Sequence, residues 1–256
     1  MKKYLTTSIS IATTIIFLFS LGSCGRKDKG TSTGTFYFHI HTNIDTSEVE
    51  DVSELYRDAS GRHFSLSTAQ LYISGVTLHN VNGSSYTISG VVLKSIDSEQ
   101  YVIGTAPVGT YDGVTFNIGL DATTNALVPT AFTTSGNVPN TDMWFGNSSQ
   151  GYMFIKLQGM ADTTALQTGA DLVNFSYEIG SASNLKVVTM PARSGALAPY
   201  VLTKNGSQYI HVACDYGALL SVVNFSTQDS TDTYTIDPAL AATIANNVPT
   251  LFRYEE

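Results

Sequence analysis

The sequence predicts an all-β domain, a mostly antiparallel β-sandwich or barrel with long loops and one short C-terminal helix. Short runs in which apolar and polar residues alternate recur along the chain. Gly, Asn, Asp and Pro separate these runs, and the leucine spacing that long helices need is scarce. Many short strands joined by turns are typical of sandwiches and barrels.

Nine runs have this alternation and are predicted strands: 35–41, 70–78, 85–93, 111–118, 152–158, 172–179, 186–190, 208–213 and 219–225. Asn82-Gly83 is a strong signal for a two-residue hairpin. Asp237 followed by Pro238 predicts the start of a helix that continues over 239–244. The acidic stretch 46–56 predicts a turn or a short helix.

The stretch 123–147 holds few strand-forming residues and many Thr, Asn, Pro and Gly residues. It is predicted to be a long loop, and loops of that length in a compact domain often carry function. No internal repeat is present, so residues 34–256 are interpreted as one β domain.

The N-terminus has the pattern of a lipoprotein signal peptide. Lys2 and Lys3 precede an apolar stretch over 9–21, and Gly22-Ser23 stand directly before Cys24. We therefore expect a signal peptide over 1–23, lipid on Cys24 as the membrane anchor and a flexible tether over 24–33. An uncleaved anchor and a signal cut elsewhere are the alternatives. The expected location is the envelope of a Gram-negative bacterium, on the periplasmic side or at the surface of the outer membrane.

Charge and cysteine content narrow the function classes. The formal net charge is −8, and loss of two lysines with the signal makes it more negative, which argues against nucleic acid as a partner. With Cys24 lipidated, Cys214 remains alone and forms no intrachain disulfide. Alternation over 209–214 places Ile210, Val212 and Cys214 on one face and His211 on the other. Cys214 is thus predicted to be buried and inert, and a His211/Cys214 metal or nucleophile pair is disfavoured.

The sharpest local feature is the run Tyr37-Phe38-His39-Ile40-His41. In a strand, His39 and His41 project from the same face about 6.6 Å apart along the chain. Two imidazoles at that spacing can lean together and reach one metal ion at about 2 Å. Two solvated histidines on an outer strand face are the alternative interpretation.

Two further features are weaker. Trp144, the single tryptophan, ends the long loop and is either a site residue or a large packing anchor. Asp121 and Asn125 can offer oxygens to a structural calcium ion or can cap their own turn. The sequence contains no Gly-x-Ser-x-Gly, Gly-rich phosphate-binding or His-Glu-x-x-His motif, so we expect a protein without enzyme activity.

Taken together, an ordered set of segments resembles the MbnP-like family, which is named for a periplasmic copper-binding protein associated with methanobactin. The resemblance runs from residue 35 to about 180 and again over 249–252. Its segments are Phe36-x-Phe-His39, Phe64-Ser-Leu-Ser, and the runs 70–78, 106–121, 143–144 and 151–159.

The resemblance implies an all-β envelope protein that binds copper and is not an enzyme. In relatives, two histidines hold the copper together with a tryptophan that a partner di-haem protein oxidises to kynurenine. By this resemblance His39 and His41 are expected metal ligands. Trp144 matches the Met-Trp motif and Asp121 the Gly-x-Asp motif, which makes both candidate site residues.

Glu178 departs from the family pattern, because relatives tend to place a histidine there. It is retained as a candidate ligand through its carboxylate. The departure also supports a second hypothesis, a β-sandwich interaction or ligand-binding lipoprotein that has lost its metal site. Metal analysis and the mass of the Trp144 peptide distinguish these hypotheses.

Overall fold

The structure is a computed structural model that describes residues 31–132, 138, 140–195 and 197–255. The predicted signal peptide and Cys24 lie outside the described residues. Within them strands dominate and helices are few and short, which confirms the all-β prediction.

The described residues form fifteen strands and three α-helices. The strands are β1 (Thr33–Ile44), β2 (Ser47–Glu48), β3 (Tyr56–Arg57), β4 (His63–Asn80), β5 (Ser85–Thr87), β6 (Val91–Lys94), β7 (Gln100–Pro107), β8 (Gly109–Ile118), β9 (Met153–Asp162), β10 (Leu172–Gly180), β11 (Lys186–Thr189), β12 (Tyr200–Leu202), β13 (Ser207–Asp215), β14 (Ser230–Asp232) and β15 (Phe252–Tyr254). The α-helices are α1 (Ala122–Asn125), α2 (Tyr216–Leu220) and α3 (Pro238–Asn246), and 3₁₀ turns cover Pro129–Ala131, Thr141–Met143, Ala182–Asn184 and Val248–Thr250.

Two sheets contain these strands. The smaller has the order β15-β13-β1-β2, with β7 also pairing with β1. The larger has the order β11-β8-β4-β9-β10-β14, with β12 pairing with β8, and with β3, β5 and β6 pairing with β4. Pairing is antiparallel except between β1 and β13 and between β10 and β14. The mostly antiparallel prediction is therefore confirmed.

The core lies between the two sheets. Phe36 and Phe38 of β1 are fully buried and meet the larger sheet edge to face, at ring-centroid distances of 5.6 Å to Tyr111 and 5.5 Å to Phe116. Phe116 in turn contacts Phe252 at 5.0 Å. Aromatic burial on the inner faces leaves the outer face of β1 for polar side chains.

Two local predictions are confirmed. Strands β4 and β5 form the predicted hairpin at Asn82-Gly83, with Leu78 opposite Tyr86, although residues 81–84 separate the strands instead of two residues. Helix α3 begins where predicted, because the Asp237 side chain accepts a hydrogen bond from the Leu240 backbone N–H at 3.0 Å. Short as it is, α3 is the longest helix among the described residues, and none of these helices has the length and hydropathy to cross a bilayer.

The predicted strand at 219–225 is wrong. The chain forms α2 there and then turns, and Asp215 caps α2 by accepting from the Ala218 N–H at 3.1 Å. Leu219, Leu220 and Phe225 are buried. A short apolar run fits a buried helix as well as a buried strand, so its pattern alone does not decide between them.

The other differences concern strand boundaries and the strands that the sequence did not predict, which are β2, β3, β7, β12, β14 and β15. The predicted strand 85–93 is divided into β5 and β6, which both pair with β4. The acidic stretch 46–56 contains β2 and turns rather than a helix. Strand β7 was not predicted because Gly104 and Pro107 interrupt its alternation. Gly104 has φ +141°, and the register of β7 on β1 shifts beside it, between Phe36 and Tyr37.

Candidate metal centre

Strand β1 places His39 and His41 on one face, as its alternation predicts. Phe36, Phe38 and Ile40 are fully buried, while the two imidazoles are each about one quarter exposed. The two rings lean together, with centroids 4.6 Å apart and planes at 71°. The structure therefore brings together the two histidines that the sequence singled out.

Glu99 completes a set of three converging donors. One of its carboxylate oxygens lies 3.4 Å from His39 Nε2 and 3.8 Å from His41 Nε2. One ligand atom from each of the three residues lies within 4.8 Å of the other two. Glu99 directly precedes β7, and its carbonyl accepts from the Ile40 N–H at 2.8 Å, which fixes it beside β1. No local motif identified Glu99, because its proximity depends on the pairing of β7 with β1.

His211 adds a third imidazole. It lies on β13 directly opposite His39 in the parallel β1–β13 pair. The Nδ1 atoms of His39 and His211 are 3.1 Å apart, so one ring donates a hydrogen bond to the other. Burial, and next to it the proximity of His39, lower the pKa of His211 and favour its neutral form.

The sequence correctly predicted that His211 and Cys214 lie on opposite faces of their strand. Cys214 is fully buried, so its predicted burial is confirmed, and burial raises the pKa of its thiol to about 11. His211 was nevertheless missed as a neighbour of His39. Spacing along the chain gives no indication that β13 lies beside β1.

Two more carboxylates surround His41. Its Nδ1 atom lies 3.2 Å from a Glu255 oxygen and 3.7 Å from a Glu48 oxygen. Glu48 belongs to β2, and Glu255 follows β15 and donates its backbone N–H to the His211 carbonyl at 3.2 Å. Three acidic side chains around three imidazoles form a surface that attracts cations. We call His39, His41, His211 and Glu99 the imidazole cluster.

Comparison with known proteins decides the family. The family model described as MbnP matches residues 33–236, which is most of the chain. The chain belongs to the MbnP family. Among solved structures, MbnP from Methylosinus trichosporium is similar with a TM-score of 0.54 and 16% sequence identity, covering 80% of this chain and 82% of that one. That likeness concerns the fold. No curated protein matches the chain.

Trp144 of this MbnP-family chain lies in a different environment from the histidines. It forms an isolated β-bridge with Tyr152 just before β9, and the two rings are 4.6 Å apart. The indole is half-buried and packs against the hydrophobic core. These contacts fit the anchor interpretation of Trp144.

Glu178 and Asp121 are also placed apart from that group. Glu178 lies on β10 between its register partners Lys156 on β9 and Asp232 on β14. Asp121 caps α1, where its carboxylate accepts from the Thr123 and Thr124 N–H groups at 2.9 and 3.0 Å and from the Thr124 hydroxyl. These hydrogen bonds lower the pKa of Asp121.

Asn125, the other half of the expected calcium site, accepts from the Tyr152 N–H at 2.8 Å. Both side chains therefore satisfy backbone groups in their own surroundings. Asp121 thus adopts the turn-capping alternative that the sequence left open, whereas Asn125 bonds to a backbone group 27 residues further along the chain.

Proposed function

We propose that this MbnP-family chain is a lipid-anchored copper-binding protein of the cell envelope, which sequesters, stores or delivers the ion and catalyses no reaction. The observation that carries the proposal is the convergence of His39, His41 and Glu99 on the outer face of β1. The copper assignment also rests on the resemblance of the sequence to the MbnP-like family.

The donor set fits copper. Imidazole nitrogens suit copper, and among divalent first-row metals copper binds most tightly to a given nitrogen and oxygen site. His39, His41 and Glu99 would hold the ion, with the carboxylate contributing negative charge. Glu99 takes the place for which Trp144 and Glu178 were the sequence candidates. Bound copper would supply one-electron redox chemistry.

His211 acts through His39 in this proposal. Hydrogen bonding to the second nitrogen of a ligating imidazole fixes its ring orientation and its tautomer. The His39–His211 contact does this across two paired strands, so the orientation of His39 is fixed by the sheet rather than by a loop. The low pKa of His211 keeps its charge from opposing a bound cation.

A non-catalytic role is consistent with the position of the cluster. The donors lie on a partly exposed sheet face, where an ion can be taken up and passed on. Chemistry that depends on excluding water needs a more enclosed setting. The sequence also lacks the catalytic motifs considered above.

Modification of Trp144 is a separate proposal that rests on the family resemblance. A partner di-haem protein would oxidise its indole to kynurenine. The indole is partly exposed and lies beside Tyr152. The mass of the Trp144 peptide from protein matured in its own cell tests the modification independently of copper binding.

Copper titration of the full-length chain tests the main proposal. We expect His39→Ala/His41→Ala to weaken copper binding roughly 100-fold or more, because losing only an outer-shell partner already costs 10–100-fold. The matched control is His63→Ala/His79→Ala. Both control imidazoles lie on β4, where His63 contacts the Gln167 carbonyl and His79 contacts Ser85 and Thr115.

Unchanged copper affinity in the β1 double variant would place the site elsewhere. A native chain that binds no copper would favour the β-sandwich interaction or ligand-binding lipoprotein instead. Circular dichroism of both double variants shows whether a loss of binding reflects the site or the fold.

A further inference from the structure

Two stacked tyrosines continue the row of imidazoles along the exposed face of β1 and β13. Tyr37 and Tyr209 are register partners in the parallel pair, and their rings lie 4.9 Å apart with planes at 18°. Each precedes a histidine of the imidazole cluster by two residues on the same strand face. The ring centroids of Tyr209 and His211 are 6.2 Å apart.

This pair differs from a second tyrosine contact in the core. Tyr72 and Tyr152 meet nearly perpendicularly, at 87° and 6.0 Å, and both are fully buried. Tyr209 is 37% exposed and Tyr37 is partly exposed. The outer pair thus combines nearly parallel rings with access for small oxidants.

We propose that Tyr37 and Tyr209 form a dityrosine cross-link when hydrogen peroxide meets the copper-loaded protein. The inference rests on the proposed function, because copper at the imidazole cluster would supply the one-electron chemistry that peroxide alone performs slowly. The structure provides the pair of phenols, and hydrogen peroxide is the oxidant.

The reaction balances as a two-electron oxidation. Each phenol loses one electron and one proton. A carbon–carbon bond then forms between an ortho carbon of the Tyr37 ring and an ortho carbon of the Tyr209 ring. The two C–H bonds at those carbons break, and their protons move to the two phenolic oxygens, which restores both phenols. The O–O bond of peroxide breaks and takes up two electrons and two protons to give two water molecules, with no net change at the metal.

Stacking favours this product over oxidation at scattered sites. Nearly parallel rings with centroids 4.9 Å apart keep the two phenols side by side, so two tyrosyl radicals formed there couple with each other in preference to more distant partners. The cross-link would join β1 covalently to β13, the same strand pair that positions His39 against His211. It would therefore fix the spacing of the imidazole cluster.

The test uses the full-length chain loaded with copper sulfate and treated with hydrogen peroxide. We expect a mass decrease of two hydrogen atoms, the fluorescence of dityrosine and a cross-linked peptide that contains Tyr37 and Tyr209. Tyr37→Phe and Tyr209→Phe should each abolish the product. Tyr86→Phe is the control, because Tyr86 on β5 is similarly exposed at 39% and lies in the other sheet.

Two further arms separate the cross-link from the copper proposal. Metal-free photo-oxidation with a ruthenium complex and persulfate tests the geometry of the pair, and absence of the Tyr37–Tyr209 product there overturns the inference. The His39→Ala/His41→Ala variant should form no Tyr37–Tyr209 cross-link when copper and hydrogen peroxide are added. It should still form the cross-link under photo-oxidation.

A copper titration of the same sample completes the design. Copper binding accompanied only by histidine oxidation, or by tyrosine coupling elsewhere, overturns the cross-link and leaves the copper proposal standing. If the chain neither binds copper nor forms the cross-link with peroxide, both the copper proposal and the cross-link proposal are overturned. Equal peroxide-driven coupling in the histidine double variant would also contradict the inference.

Discussion

Lys94 carries an amino group into the interior between the two sheets. It is fully buried on β6, and its Nζ atom donates to the Thr42 hydroxyl on β1 and, at 3.0 Å, to the Ser95 carbonyl. Nζ also lies 5.4 Å from the centroid of the Tyr216 ring. Burial is the main reason that the pKa of Lys94 lies below its usual 10.5.

This lowered pKa predicts a dependence of stability on pH. Between the folded pKa and about 10.5 the unfolded chain binds one proton more than the folded chain at Lys94, so the free energy of unfolding rises with pH in that window. Lys94→Met should reduce this slope. At pH 7 the free energy of unfolding of the variant should rise by about 1 kcal/mol. Removal of the desolvated amine stabilises the fold, and this gain is partly offset because the Thr42 and Ser95 oxygens lose their donor.

Urea denaturation of the apo protein between pH 7 and 9.5 measures this effect. The matched control is Lys204→Met, because Lys204 is exposed and its removal leaves the core unchanged. Equal slopes in the native chain and the Lys94 variant would show that Lys94 keeps an ordinary pKa in the folded protein.

At the residue scale, the sequence identified only part of the candidate site. His39 and His41 were predictable because strand alternation places residues two apart on one face. Glu99 and His211 were not, since each approaches His39 only through the pairing of β7 or β13 with β1. Asp121 was recognised as a polar residue in a turn, but only the structure shows its carboxylate hydrogen-bonded within that turn.

At the scale of elements, β9 is held between β4 and β10 at a point where a side chain does not fit. Gly159 lies opposite Leu66 of β4 and Phe175 of β10. A Cβ atom there would lie 1.9 Å from the Ser65 carbonyl oxygen and 2.8 Å from carbons of the Phe175 ring. The glycine that ends the family-like segment 151–159 is therefore required by the close approach of a backbone oxygen.

Gly159→Ala should destabilise the domain by roughly 2–3 kcal/mol, because the added methyl group forces the three strands apart. Chemical denaturation measures the loss. Gly83→Asn is the comparison, since Gly83 has nothing within 4 Å of its added Cβ, and asparagine tolerates its φ of +86°. A change below 0.5 kcal/mol in Gly159→Ala would mean that β4 and β9 shift easily at this point.

Element prediction succeeded where hydrophobic alternation continued over the strand and failed where it did not. Strand β1 buries every second residue over a long stretch, β4 and β8 do so over shorter runs, and the cores of all three were predicted. Strand β7 contains a glycine at its register shift, and α2 is too short to show a helical period. The conformation of both segments depends on the elements packed against them rather than on their own residues.

At the scale of the whole molecule, the predicted anchor and the candidate metal site belong to one acidic chain. Cys24 and Cys214 are its two cysteines, and Cys214 is fully buried. Lipid on Cys24 would tether the chain to a membrane. A second lipid chain beside the first makes such anchoring stable.

Cys24→Ser should abolish labelling by radioactive palmitate and release the protein from the membrane fraction. Cys214→Ser is the matched control and should remain labelled and membrane-bound, because its thiol is enclosed by the core. Labelling that persists in the Cys24 variant, or a native chain that takes up no palmitate, would contradict lipid anchoring.

By itself, the sequence determined the all-β class, most strand positions, the two-histidine face of β1 and the burial of Cys214. These follow from local alternation, which depends on which residues avoid water. Only the tertiary structure decided that Glu99, His211 and Glu255 surround those histidines, that Lys94 is buried and that Tyr37 stacks on Tyr209. Each of these contacts is made across sheet pairings or packed layers, and the energy that selects such partners is distributed over the whole core rather than encoded in any short segment.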